Sequence, residues 1–392
     1  MKVLSVNAGS SSLKFQLYEM PEEKVLISGL MERIGIGNSF YTIKINGKKI
    51  KKEKELDNHA TAFKVLVDEL KENKVVDSLD DIKAIGNRVA QGGDYFDKSV
   101  VIDDDVLDKI NELSCFAPLH NPAAVVAIKA AKQVFPNALQ TAVFDTAFHK
   151  TMPKENYLYA LPYSWYTDYK VRRYGAHGTS HKYVAQRANE LLGRNDTKLI
   201  TCHIGNGASI SAVLNGKCIN TSMGLTPNAG LIMGTRCGDI DASIIPYMME
   251  KTGMSAKDID KAINKESGLL AISRKSSDSR DIEDGIAQGD ENCILAQKMY
   301  VRRIVDYIAK YYVEMQGCDA IVFTAGIGEK SVDTRRDVIE ALKVLGVKLD
   351  VDANNVRGEE RLISAPDSTI KCYVIPTDEE LMIAKDTHEL AK

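Results

Sequence analysis

The chain has one tryptophan and ten prolines among 392 residues, and no long apolar run. No stretch approaches the ~20 apolar residues that a membrane-spanning helix needs. The opening Met1-Lys2-Val3-Leu4-Ser5-Val6-Asn7 turns polar too early for a signal-peptide core. A cytoplasmic protein is expected. An excess of one charge is also lacking: 51 Lys and Arg face 54 Asp and Glu, a net charge of -3. That gives no electrostatic reason to expect nucleic acid or an anionic membrane as partner. The seven cysteines, at 115, 202, 218, 237, 293, 318 and 372, are scattered and form no C-x-x-C pair. Reduced thiols in the core are expected, with neither a disulfide framework nor a zinc site. The phosphate loop G-x-x-x-x-G-K-[ST] is absent, and no G-x-G-x-x-G follows a strand, so no P-loop or dinucleotide fold is indicated.

What is present is an ordinary globular composition, 44% hydrophobic and 27% charged, with length for two domains at ~150 residues each. Lys2 to Val6 reads as a strand and Ser12 to Tyr18 as its return, since Leu13, Phe15 and Leu17 alternate with Lys14 and Gln16. Asn46-Gly47 marks a second hairpin; the charge run Lys48 to Lys54 beyond it reads as a solvated tip. Phe63, Leu66, Val67 and Leu70 fall on one helix face. Asn121 is the expected cap of a helix opening with Pro122. Strand, glycine turn and returning strand recur at Lys198 to Leu214, so Leu4 to Ser12 and Thr201 to Ser209 read as one unit used twice. Two α/β domains facing a cleft are expected.

Four turns join strand ends to glycines or small hydroxyl residues: Asn7 to Ser12, His203 to Gly207, Gly234 to Asp239 and Gly326 to Glu329. Such turns let backbone N–H groups approach phosphate oxygens. Each alone is an ordinary turn; four in one chain, with Lys14 beside the first, favour a nucleotide. Arg88 and Arg236 stand among glycines, where a guanidinium fork would meet carboxylate or phosphate; as surface ion-pair residues they would not need those glycines. Of the two histidines in Tyr174-Gly175-Ala176-His177-Gly178-Thr179-Ser180-His181, His177 is the better catalytic candidate, and His181 reads as a structural helix-start residue. Asp145 ends an apolar strand, where it would position a nucleophile, hold a metal-bound water or only cap a turn. Glu379 and Glu380 are either helix-start charges or magnesium ligands.

Asn7 to Lys14, Ala117 to Pro122, Phe144 to His149, His177 to His181, Gly205 to Ser209, Met233 to Arg236, Phe323 to Glu329 and Glu379 to Leu381 together resemble the acetate kinase family, in family order along the whole chain. The resemblance implies two duplicated actin-like (ribonuclease H-like) ATPase domains around a nucleotide cleft. The expected boundaries are 1–150 plus 385–392, carrying the carboxylate side, and 151–384, carrying most nucleotide contacts. It implies a reversible, in-line transfer from ATP to a short carboxylate. Asn7 and Glu379 would organise Mg²⁺ (or Mn²⁺), with Ser10, Ser12 and Lys14 near the phosphates. His203, Ile204, Gly205, Asn206 and Gly207, then Asp278, Ser279 and Arg280, then Gly326, Ile327, Gly328, Glu329 and Lys330 would hold ATP or ADP. Arg88 would bind the carboxylate and Asp145 is the family's active-site acid. His177 and Arg236, with Asn206 near, would stabilise the moving phosphoryl group. A homodimer is what the family implies.

The acyl side departs from the family pattern. Ala90 stands for a valine and Ala176 for a phenylalanine; Leu119 and Pro227, the other pocket walls, are kept, with His120 alongside. Asn87 and Gln91 replace histidines, Asn228-Ala229 replaces Leu-Glu, Ser279 a larger apolar residue and Lys330 an asparagine. A larger acid (propionate, butyrate, branched or polar) is therefore an alternative to acetate. A non-catalytic actin-like nucleotide binder is the remote one, and a sugar kinase would not need the carboxylate-binding arginines.

Overall fold

The computed structural model describes residues 1–118 and 120–392; Leu119, expected in the acyl pocket, lies outside the described residues. The chain divides into unit 1, Met1–Phe148 with Asp378–Lys392, and unit 2, His149–Thr377.

Unit 1 holds strands β1 (Lys2–Ala8), β2 (Ser12–Glu19), β3 (Lys24–Glu32), β4 (Phe40–Ile45), β5 (Lys48–Glu53), β6 (Ile82–Val89), β7 (Val100–Val101) and β8 (Leu139–Phe144) in one sheet ordered β5-β4-β3-β2-β1-β6-β8-β7. In β2, Leu13, Phe15 and Leu17 are buried and Lys14 is exposed, as the alternation predicts. The lysine-rich β5 is an edge strand and mostly exposed, where charge discourages pairing with another chain. The helix His59–Glu72 opens on Asn58, whose side chain accepts from Thr61 N, and buries Phe63, Leu66 and Leu70. Val67 is only half-buried.

Unit 2 holds β9 (Lys198–Ile204), β10 (Ala208–Leu214), β11 (Lys217–Thr221), β12 (Ala320–Thr324), β13 (Arg361–Leu362) and β14 (Lys371–Val374), ordered β11-β10-β9-β12-β14-β13. The two sheets share a core plan. A three-stranded antiparallel meander is extended, on the far side of its first strand, by two parallel strands: β3-β2-β1-β6-β8 matches β11-β10-β9-β12-β14. The duplication read from the two hairpins is thus a duplication of the whole sheet plan. Open sheets of this kind present ligand-binding residues at the carboxyl ends of parallel strands. In unit 1 those ends carry Asn7, Arg88 and Asp145; in unit 2 they lead into Asn206, Gly326 and Thr377.

Two expectations need correction. The return to unit 1 begins at Asp378, not at 385. Asp378 caps the helix Glu379–Leu390, which therefore stays whole and packs on β1, β6 and β8. A Cβ on Gly86 would stand 2.2 Å from Thr387 Oγ1, so glycine is what lets the helix approach β6. Asn121 is not a cap: His120 holds that position. The Asn121 side chain instead accepts from Gln91 N and donates to the Gln91 and Ile110 carbonyls.

Candidate active site

In unit 1 the ends of β1, β6 and β8 bring Asn7, Arg88 and Asp145 together. Arg88 Nε donates to both Asp145 oxygens at 3.2 and 3.1 Å, Nη2 to Oδ2 at 2.6 Å, and Nη1 to Asn7 Oδ1 at 3.2 Å. Asp145 is 1% exposed. Its charge holds the guanidinium proton more tightly than usual. Glu379 and Glu380 open the C-terminal helix beside this pair. Lys14, expected at the phosphates, pairs with Glu380 Oε1 at 2.6 Å. Burial, with Asp145 and Glu380 near, pushes the Glu379 carboxyl up to about 7 against the pull of Arg88 and Lys14. Ser12 approaches Gly9, where a Cβ would stand 2.7 Å from Ser12 Oγ, and its carbonyl accepts from Gly9 N; Ser10 is exposed.

Asn87 and Gln91 each spend part of their polar capacity within unit 1, while Asn87 Oδ1 has no hydrogen-bond partner. Asn87 is buried and donates to Gln140 Oε1 at 3.0 Å and to Thr141 O at 3.2 Å. Gln91 is buried and its Oε1 accepts from Gly93 N. Ala90 is half-buried and His120 exposed.

In unit 2 the helix Gly178–Leu192 starts at His177, whose backbone is left-handed at φ 59°. Strain of this kind in a non-glycine residue collects at functional sites. His177 Nδ1 lies 2.9 Å from Ser209 Oγ, and its ring stacks on His203 at 4.0 Å. His203 Nδ1 lies 2.8 Å from Ser180 Oγ, which lies 2.8 Å from Thr377 Oγ1. Arg236 Nη1 donates to Pro227 O at 3.1 Å; among the described residues no carboxylate pairs with it, and burial lowers its pKa. A half-buried guanidinium without a counter-charge is ready for an anion. A Cβ on Gly207 would stand 3.4 Å from Arg236 Nη1 and 3.7 Å from His177 Nε2. Arg236 and His177 therefore both border the bare face of Gly207. Ala176 is 8% exposed, within the unit 2 core, and its carbonyl bonds His149 Nε2 at 2.9 Å.

Beside this lies a cavity of about 630 Å³, entirely within unit 2. Of the expected nucleotide residues it is lined by Asn206, Asp278, Ser279, Arg280, Gly326, Ile327 and Lys330. His203, Ile204 and Gly205 are buried and not among its lining; neither are Gly207, Gly328 and Glu329. Glu329 Oε1 instead accepts from Ala325 N and Thr377 N, tying the ends of β12 and β14 together. The expected glycine turn after β12 is the short helix Ala325–Lys330. Asp278 and Arg280 pair at 2.6 Å, which pulls the Asp278 carboxyl down to about 2. Ser277, Glu283, Ser331 and Arg357 also line the cavity and were not anticipated. All seven cysteines are free, and no helix among the described residues is long and apolar enough to cross a membrane.

The sequence pattern of the acetokinase family matches residues 2–385. An acetate kinase of Bacillus velezensis is 54% identical over 393 residues, covering all of both chains. The crystal structure of an acetate kinase from Porphyromonas gingivalis superposes with a TM-score of 0.94 at 45% identity over all of both chains. A propionate kinase from Francisella tularensis does so with 0.94 at 43% identity over 99% of each. The fold is the actin-like ATPase fold, and the protein is a phosphotransferase with a carboxyl group as acceptor and ATP as donor. The chain belongs to the acetokinase family.

Proposed function

We propose that this chain transfers the γ-phosphoryl group of ATP, reversibly and in line, to a short carboxylate larger than acetate, propionate being the first choice. Arg236 carries the reading of the chemistry: an uncompensated, half-buried guanidinium beside His177 and a nucleotide-sized cavity. A carboxylate is already ionised at pH 7, so no general base is required. The protein contributes position and charge neutralisation, the main terms in phosphoryl transfer. Arg88 binds the acid with the N–H groups left over from Asp145 and Asn7, and Asp145 fixes the fork's direction.

Oxygen donors suit Mg²⁺, which takes few protein ligands and keeps waters and phosphate oxygens. Among the described residues no three His, Cys, Asp or Glu side chains gather as a chelating cluster. Asn7 Oδ1 and the half-buried carboxyl of Glu379 fit that sparse pattern. The ion would neutralise charge on the nucleotide phosphates.

The larger acid is supported by Ala90 and Ala176, both smaller than the family's residues, and by the similarity to a propionate kinase. Each added buried CH₂ is worth ~0.8 kcal/mol, about fourfold in affinity. The test is kcat/KM for acetate, propionate, butyrate and isobutyrate. A maximum beyond acetate is expected; acetate above every longer acid would contradict the reading. A homodimer is supported by Leu161, Tyr163, Trp165 and Tyr169, all at least 46% exposed within nine residues, since exposed apolar clusters mark interaction surfaces.

A further inference from the structure

We propose that Ser209, His181 and Thr201 are positioning residues that lock His177 as a neutral ring with its proton on Nε2. The inference rests on the reading that His177 faces the transferring phosphoryl group.

His181 follows His177 by one helical turn, and its backbone N donates to His177 O. Ser209 Oγ, on β10, stands between the two rings, 2.9 Å from His177 Nδ1 and 2.8 Å from His181 Nε2. On the far side His181 Nδ1 lies 2.7 Å from Thr201 Oγ1, on β9. Two hydroxyls and two rings in a row admit two proton arrangements. In the first, His181 donates to Thr201, whose own proton must go to Ser211 O at 3.5 Å, a poor bond. In the second, Thr201 donates to His181 Nδ1, His181 Nε2–H donates to Ser209, and Ser209 donates to His177 Nδ1. Every proton then lies in a contact of 2.9 Å or less, so the second arrangement wins.

The consequence falls on His177. With Nδ1 accepting, its own proton sits on Nε2, which like Arg236 Nη1 borders the space over Gly207. The ring is then a fixed neutral donor to an incoming oxyanion. Charging it at Nδ1 would require Ser209, His181 and Thr201 all to reverse. Arg236 opposes a positive ring as well. His203 stacks on it, Arg236 stands across Gly207, and His149 lies edge-on to His181 at 5.7 Å. Complete burial, with His149 and His203 near, keeps His181 neutral, so the relay holds across the ordinary His range.

Imidazole ¹⁵N NMR on the full chain reads the tautomer without reference to activity. The expected result is a neutral Nε2–H His177 throughout pH 6–8, and a kcat with no step near ~6.5, the ordinary His value. Ser209→Ala, and the isosteric Thr201→Val at the far end, should each give His177 a titration near that value. For Ser209→Ala, kcat should drop ~10-fold or more, as expected when an imidazole loses its orienting partner. It should also decline as pH rises through the step, with KM for ATP little changed; Ser209→Thr should restore the parent profile. A parent His177 that is Nδ1–H or titrates near 6.5 overturns the proposal. So does a Ser209→Ala protein with the parent tautomer and pH profile. An enzyme that forms no acyl phosphate from any acid while keeping the tautomer would instead refute the kinase reading.

Discussion

Arg88 closes a fork on Asp145, with Nε reaching both oxygens and Nη2 one of them at 2.6 Å. In the proposed reaction Asp145 would aim this guanidinium at the acid. Asp145→Asn should therefore raise KM for the carboxylate more than KM for ATP. It should also lower stability, by less than the ~3–5 kcal/mol of a broken fully buried pair, because Arg88 is 23% exposed. Steady-state kinetics and urea unfolding check both; unchanged carboxylate KM would remove Asp145 from this role.

Glu379 predicts a pH effect. Its folded-state value of about 7 lies above the ~4.3 of an unfolded glutamate. The folded chain thus holds the proton more tightly, and stability from this group is complete below ~4.3 and lost as pH rises toward 7. Without divalent metal, Tm should fall from pH 5 to 7, and Glu379→Gln should flatten that fall while raising the Mg²⁺ concentration needed for activity. A parent-like slope and Mg²⁺ dependence in Glu379→Gln would dismiss the residue.

Ala176→Phe should restore preference for acetate over longer acids if the missing ring enlarges the acyl site. Since Ala176 is buried, the added volume should also cost ~1–3 kcal/mol of stability. A folded variant with the parent's acid preference would detach Ala176 from specificity.

Trp165→Arg together with Tyr169→Asp places charge on the exposed aromatic stretch of unit 2. A homodimer joined there should become monomeric in sedimentation, with its fold intact by circular dichroism. A parent that already sediments as a monomer would contradict the assembly.

Much of this was legible in the sequence because the signals are local. Alternation in β2, the Asn-Gly turn and the strand–glycine–strand units each depend on neighbouring residues, and together they foretold the duplicated sheet. The resemblance then placed Arg88, Asp145 and Glu379 in one site, and the structure brings them together in unit 1. What escaped depends on partners distant along the chain. Asn121 looked like a cap and instead ties down Gln91. No motif announces that Glu329 joins Ala325 to Thr377, or that Lys14 pairs with Glu380, 366 residues away. Arg357 and Glu283 carry no motif, so only the cavity reveals them. His181 read as structural because its link to His177 runs through Ser209 on another element.

The most direct test traps the product with hydroxylamine while ADP is measured, for the parent and Arg236→Ala, with propionate as acceptor. One hydroxamate per ADP is expected in the parent. In the variant kcat should be lower by ~10²-fold or more, as when a preorganised charge contact to the transition state is removed, with ATP affinity little changed. ADP released without hydroxamate for acetate, propionate and every longer acid, or a variant with parent-like kcat, would contradict the proposed transfer.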